Sequence, residues 1–188
     1  MGRIILTGGI ACGKSTIVEE FKKHDIIVID SDKIAKNIFT RNIPTIQEMF
    51  DTDLKGDELR AYVGKTIFLN PRLKLQLEAF MHPKIRKVIK TKERELKGKK
   101  HIIDMPLYFE TKHFLDDDFV ILVTVTYETQ LQRLMDRNHF IKEDADRRIM
   151  AQLPSAIKEK KSDCVIDNNG TIEELQENIQ KLIKVIFK

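Results

Sequence analysis

The chain has 188 residues, 41% of them hydrophobic and 33% charged, with a formal net charge of +4, enough to bury a core in one domain with inserted pieces. No apolar run approaches the roughly 20 residues needed to span a bilayer, the first residues do not read as a signal peptide, and Cys12 and Cys164 belong to no metal-ligand cluster. The composition therefore predicts a cytoplasmic protein without a membrane partner, whose mild positive charge suits polyanionic small molecules and does not demand nucleic acid.

Short β-branched runs alternate with helical patterns along the chain. Arg3–Thr7 reads as a buried strand, followed by a helix over Lys14–Lys23 with Ile17, Val18 and Phe21 on one side. A second strand over Ile26–Ile29 ends at Asp30-Ser31-Asp32, where the two carboxylates of an extended chain would share a side, with Asp30 or Ser31 able to cap the helix beginning near Lys33. From Lys33 to about Glu95 the pattern is helical, broken at Pro44, Gly56 and Asn70-Pro71. Within it, His82-Pro83 reads as the start of a basic helix, with Pro83 in a first turn. Residues 84–100 hold nine Lys and Arg against two Glu, with Ile85, Val88 and Ile89 as the apolar stripe. Strands return at His101–Asp104 and Phe119–Val125, then a helix around Leu131 and Leu134, a short strand at Cys164–Ile166, and an amphipathic helix over 171–187 through Ile172, Leu175, Ile179, Leu182, Ile183 and Ile186.

Strands separated by helices imply right-handed crossovers and an α/β, three-layer fold around a five-stranded parallel sheet. The alternation breaks at 36–95 and 136–152. These segments read as a helical insertion and a small lid on a core formed by 1–35, 96–135 and 153–188. Ligands gather at the carboxyl ends of parallel strands, the edge where the glycine loop, Asp30, Asp32, Asp104 and Asn168 fall.

Residues 8–16, GGIACGKST, match the P-loop pattern Gly-x4-Gly-Lys-Ser between a strand and a helix. Glycines let the backbone turn several N–H groups toward one anion, and the helix that follows adds its positive end. Lys14 is placed to reach the β- and γ-phosphates of a nucleoside triphosphate and Ser15 to hold Mg²⁺. Asp32 is the candidate base for an acceptor hydroxyl, with Asp30 able to share the work by facing the metal. Asp104, at the end of an apolar strand, has the position of a Walker-B carboxylate. Arg133, Arg137, Arg147 and Arg148 suit a lid that neutralises the transferring phosphoryl group, although i,i+4 pairing of Glu143 with Arg147 and Asp144 with Arg148 also accounts for two of them. Cys12, in the loop at a helix start, is expected to have a lowered thiol pKa without acting as a nucleophile.

Taken together, LTGGIACGKST (6–16), VIDSDKIAK (28–36), HPKIR (82–86), DMPLYFE (104–110), ADRRIMAQ (145–152) with Lys158, and VIDNNG (165–170) resemble the dephospho-CoA kinase family in order and over nearly the whole chain. The resemblance implies transfer of the ATP γ-phosphoryl group to the ribose 3′-hydroxyl of dephospho-CoA, with Mg²⁺. It implies Asp32, Lys14, Arg137 and Arg148 as catalytic residues. Gly8, Gly9, Ala11, Cys12, Gly13, Lys14, Ser15 and Thr16, with Asn168 and Gly170, would hold ATP. The acceptor would meet Asp32, His82, Arg86, Pro106, Leu107, Phe109 and Glu110, and the metal would lie near Ser15, Asp104 and Asp30. The expected state is a monomer or weak homo-oligomer.

The chain departs from the family pattern where Ala11 and Cys12 replace a glycine and a serine; an alanine at position 11 is expected to need a negative φ. Lys36 stands for an arginine, losing bidentate geometry toward phosphate, and Leu59-Arg60 replaces an Asp-Arg pair. Two rival readings are a kinase for another small hydroxylic acceptor and a nucleotide-dependent module that holds nucleic acid through 84–100. The lysines of 84–100 lack the interleaved aromatics that single-strand stacking requires.

Overall fold

The computed structural model describes residues 2–111 and 118–187. The strands are β1 (Ile4–Gly8), β2 (Ile27–Asp30), β3 (His101–Asp104), β4 (Phe119–Thr124) and β5 (Cys164–Asp167). They form a five-stranded sheet in the order β2-β3-β1-β4-β5. β1 lies parallel to β3, with Ile5 opposite Ile103, and to β4, with Ile5 opposite Val120; β4 lies parallel to β5, with Leu122 opposite Val165. The α/β, parallel-sheet expectation holds.

The chain divides into two compact units, Met1–Ile29 with Gly98–Lys188, and Asp30–Lys97. In the first, α1 (Lys14–Lys23) packs on α9 (Ile172–Ile186). Ile17 and Phe21 of α1 meet Leu175, Ile179 and Ile186 of α9 and the sheet residues Leu6, Ile102, Ile121 and Ile166 in one core. The 3.6-residue spacing that put these side chains on one face of α9 is its reason for packing there. Ile172, expected in that stripe, lies in the first turn and is 62% exposed. A capping box opens α9: Thr171 accepts from Glu174 N, and Glu174 accepts from Thr171 N.

A buried ion pair ties the sheet's amino end together. Arg3 donates to both Asp118 oxygens at 2.7 and 2.6 Å, and Tyr108 O–H donates to the same carboxylate at 2.8 Å. Two donors on a desolvated carboxylate offset what burial costs it. The same unit carries α6 (Tyr127–Asn138), α7 (Lys142–Met150) and the short α8 (Ser155–Glu159). Tyr127 O–H donates to Asp146 at 2.7 Å and so binds the start of α6 to α7. Among the described residues, no helix is long and apolar enough to cross a membrane.

The second unit is helical: α2 (Ser31–Arg41), α3 (Ile43–Phe50), α4 (Gly56–Leu69) and α5 (Pro71–Glu95). Ile46, Phe50, Leu59 and Val63 form its core. Leu59 is fully buried, and Arg60 donates to Thr40 at 2.7 Å and pairs with Asp57 at 3.2 Å. The sequence breaks at Pro44, Gly56 and Asn70-Pro71 all fall at or next to helix ends. Asn70 caps α5 by accepting from Arg72 N and Leu73 N.

Two local expectations are corrected. Asp30 and Asp32 do not share one face of an extended strand: Asp30 ends β2 and caps α2, one of the two caps expected, accepting from Lys33 N at 2.8 Å, while Asp32 is already in the first helical turn. The cap explains the early start, because a carboxylate at that position satisfies an amide that otherwise has no partner. Pro83 does not begin a helix; it lies inside the 25-residue α5. Pro71, directly after the Asn70 cap, holds the first-turn position instead.

An interior proline has no N–H for the carbonyl four residues earlier and crowds it. Pro83→Ala should therefore stabilise the helical unit by about 1–2 kcal/mol, the restored hydrogen bond outweighing the added freedom of the unfolded chain. The measurement is the urea midpoint at unchanged slope; a midpoint that stays or falls would show that the missing bond costs nothing.

Candidate active site

The phosphate loop leaves β1 at Gly8 and enters α1 at Lys14. Gly13 supplies the cap of α1 with φ of 83°, a left-handed conformation natural to glycine. Ala11 also has a positive φ, 58°. The expectation of a negative φ there is wrong: the loop imposes the turn, and a Cβ in that region costs about 1–2 kcal/mol. Two backbone bonds close the loop, Cys12 N to Gly9 O at 3.3 Å and Thr16 N to Gly13 O at 3.0 Å. Ser15 and Thr16 are exposed in the first turn of α1.

Lys14 Nζ lies 2.5 Å from Asp104 Oδ1, and each side chain is about 15% exposed, at 16% and 14%. The parallel pairing sets Asp104 beside Leu6, so the β3 carboxylate stands next to the strand that delivers the loop. Here the structure joins two residues that the sequence separates by 90 positions. Ser15 and Asp104 offer a hydroxyl and a carboxylate, hard oxygen donors of the kind Mg²⁺ takes. Among the described residues no group of three or more His, Cys, Asp and Glu could hold a metal ion.

Asn168 is 8% exposed and donates from Nδ2 to Cys12 O at 2.9 Å, while Arg133 Nη2 donates to Asn168 O at 3.1 Å. A Cβ on Gly13 would collide with the Asn168 amide. Asn168 therefore packs on the phosphate loop itself. Gly170 lies just before the capping box of α9, where a side chain would strike Glu174.

After β3, Met105 N donates to Leu6 O at 2.9 Å and Thr7 Oγ1 donates to Pro106 O at 3.1 Å. Leu107 is 45% exposed, whereas Phe109 is buried edge-on against Tyr108, with ring centroids 5.2 Å apart. Glu110 pairs with the buried Lys158 at 2.7 Å and accepts from Leu153 N at 3.2 Å through the same oxygen. A cleft of about 290 Å³ opens beside these groups, lined by Gly9, Cys12, Val123, Gln130, Gln152 and Lys158 among others.

Of the lid arginines, Arg148 stacks on Phe140, its guanidinium carbon 4.5 Å from the ring centre, and Arg137 donates to Asn138 at 2.9 Å. Arg147 pairs with Asp144, three residues away, so the ion pairing on α7 does not follow the i,i+4 scheme. In the helical unit, Asp32 and Arg86 are exposed and His82 is half-buried. His82 and Arg86, four apart on α5, share a helix face.

Sequence reasoning gave Gln130 no role, held Gln152 only as the end of the ADRRIMAQ stretch and Arg133 only as a lid arginine; both glutamines bond Ile10, and Arg133 bonds Asn168. Neither glutamine signals a loop contact in the sequence, and only the tertiary approach of α6 and the segment after α7 exposes it.

Cys12 is corrected as well. It is 3% exposed, and burial pushes its thiol pKa up against the pull of the Lys14 N–H and the charges of Lys14 and Lys158. Iodoacetamide at neutral pH should alkylate Cys12 in the folded protein at least about tenfold more slowly than in urea, as read by peptide mass spectrometry. Equal rates would mean that the thiol is open to solvent.

The dephospho-CoA kinase family model matches residues 3–174. A dephospho-CoA kinase of Bacillus cereus is 39% identical over 188 aligned residues, covering 95% of this chain and 94% of the relative. A crystal structure of a Thermus thermophilus protein superimposes with a TM-score of 0.87 at 26% identity, covering 98% of both chains. The dephospho-CoA kinase of Campylobacter jejuni superimposes with a TM-score of 0.75 at 30% identity, covering 98% of this chain and 96% of the other. With its phosphate loop, its Lys14–Asp104 pair and a match along nearly its full length, the chain belongs to the dephospho-CoA kinase family.

Proposed function

We propose that the protein moves the γ-phosphoryl group of ATP onto the 3′-hydroxyl of the ribose in dephospho-CoA, giving coenzyme A and ADP, and that it does so in the cytoplasm. The observation that carries this reading is Lys14 held against Asp104 at the mouth of a P-loop, in a chain of this family. An arriving triphosphate offers Lys14 more negative charge than one carboxylate does, so its ammonium group exchanges Asp104 for the β- and γ-phosphate oxygens. The loop amides over Ala11–Thr16 and the positive end of α1 then hold the phosphate tail. Ser15 and Asp104 are the residues that would hold Mg²⁺. When bound, Mg²⁺ neutralises charge on the β- and γ-phosphates.

Asp32 is the proposed base. Its carboxylate is exposed in the first turn of α2, and it matches the family motif at DSDKIA. It orients the 3′-hydroxyl and takes its proton as the phosphoryl group transfers. Asp30, one of whose oxygens caps α2, is proposed to share the work by facing the metal. His82 and Arg86 are proposed to meet the acceptor together with Pro106, Leu107, Phe109 and Glu110. Arg137 and Arg148 remain proposed lid residues; Arg148 must leave Phe140 to reach a phosphate.

Asp32→Asn should bind MgATP within about twofold of wild type yet lose ~100- to 10,000-fold in kcat. Calorimetric titration and a coupled ADP-release assay separate the two quantities. Near-normal turnover removes Asp32 as the base. A panel of other hydroxylic acceptors in the same assay tests the substrate, and faster turnover of any of them would displace dephospho-CoA from the proposal.

A further inference from the structure

We propose that Gln130 and Gln152 are positioning residues that clamp Ile10 from both sides and keep the phosphate loop in its nucleotide-binding shape; this rests on the kinase reading above. Ile10 N donates to Gln152 Oε1 at 2.8 Å, and Gln130 Nε2 donates to Ile10 O at 2.6 Å. Both polar main-chain groups of one loop residue are thus taken by side chains that lie 142 and 120 positions away in sequence. Backbone groups of a loop this close to a ligand site normally turn to water or to neighbouring backbone. Here they are fixed from α6 and from the segment after α7.

Two further observations give the clamp a purpose. A Cβ on Gly9 would lie 2.7 Å from Gln130 Nε2, so the glycine is what lets the amide approach. The residue after Ile10 is Ala11 at φ of 58°. Alanine relaxes from that region to negative φ unless its surroundings hold it. Such a relaxation would rotate the peptides that follow, and with them the amides proposed to grip phosphate. With both groups of Ile10 bonded, the chain entering Ala11 has a fixed direction and the strained turn persists.

The clamp is itself anchored. Leu153 N, adjacent to Gln152, donates to Glu110, whose carboxylate pairs with the buried Lys158. Gln152 therefore reaches the loop from a segment pinned on its other side.

A double-mutant cycle between Ala11→Gly and Gln152→Leu, read by calorimetric titration of MgATP, tests the proposal. Gln152→Leu removes the acceptor while filling similar space. In the natural background it should weaken MgATP binding about tenfold, with kcat at saturating ATP changed by no more than about twofold. Glycine is at ease at positive φ, so in the Ala11→Gly background the same substitution should weaken binding by no more than about twofold. A merely structural role for Gln152 would lower the melting temperature equally in both backgrounds and leave the two affinity ratios alike. That result, or an unchanged affinity, overturns the clamp. Should Gln152→Leu not fold by circular dichroism, Gln130→Leu in the same cycle carries the same expectation and the same refutation. Wild type that binds MgATP but turns over no dephospho-CoA would sink the acceptor assignment while leaving the cycle readable.

Discussion

A loop that must aim several amides at one anion cannot also be a relaxed loop, and that constraint governs the rest of this protein. The stretch between β1 and α1 contains two residues in the left-handed region, Ala11 and Gly13. Glycine adopts it freely, whereas alanine does so at a cost. The surrounding structure is arranged to hold that shape. Asn168 closes on Cys12 O, Arg133 holds Asn168, and the glutamines meet Ile10. Each of these donors or acceptors comes from beyond β4, so the carboxyl half of the chain builds the frame within which the amino-terminal motif works.

The same logic explains why the sheet is parallel. Parallel pairing brings the carboxyl ends of β1, β3, β4 and β5 to one edge. The glycine loop, Asp104, the residues after Thr124 and Asn168 therefore meet there without any local sequence relation. At the opposite end, Arg3, Asp118 and Tyr108 fix β1 to the start of β4 through a desolvated carboxylate. A buried pair of this type contributes modest stability when intact and costs several kcal/mol when one partner is removed. It therefore serves register more than strength.

Burial also decides the chemistry of the loop's side chains. Cys12 stands at a helix start beside two lysines, a setting that lowers a thiol pKa when solvent is present. Its actual environment is nearly dry, and desolvation of a thiolate outweighs the nearby positive charge. Lys158 is at the other extreme. It is buried too, and Glu110 at 2.7 Å supplies the opposite charge that offsets the cost of burying it.

The sequence by itself determined the alternation of strands and helices, the helix over Lys14–Lys23, the strand over His101–Asp104, and the phosphate-binding motif. These are legible because hydrophobic period and glycine placement are local properties of neighbouring residues. It also located the helical stretch and its breaks, since proline and asparagine act on the few residues beside them. It misread Pro83, because a long helix held by tertiary packing tolerates a residue that local rules assign to an end. It offered Asp30 as a helix cap yet misread Asp32 as extended, because the helix begins earlier than the apolar pattern does. Only the tertiary structure decided that Ala11 is held at positive φ, that Cys12 is too dry to ionise easily, and that Gln130 and Gln152 meet at Ile10. The physical reason is the same in each case: φ at a strained residue, desolvation of a thiol and a bond across more than a hundred residues are set by what the folded chain brings into contact, and no window of sequence contains both partners.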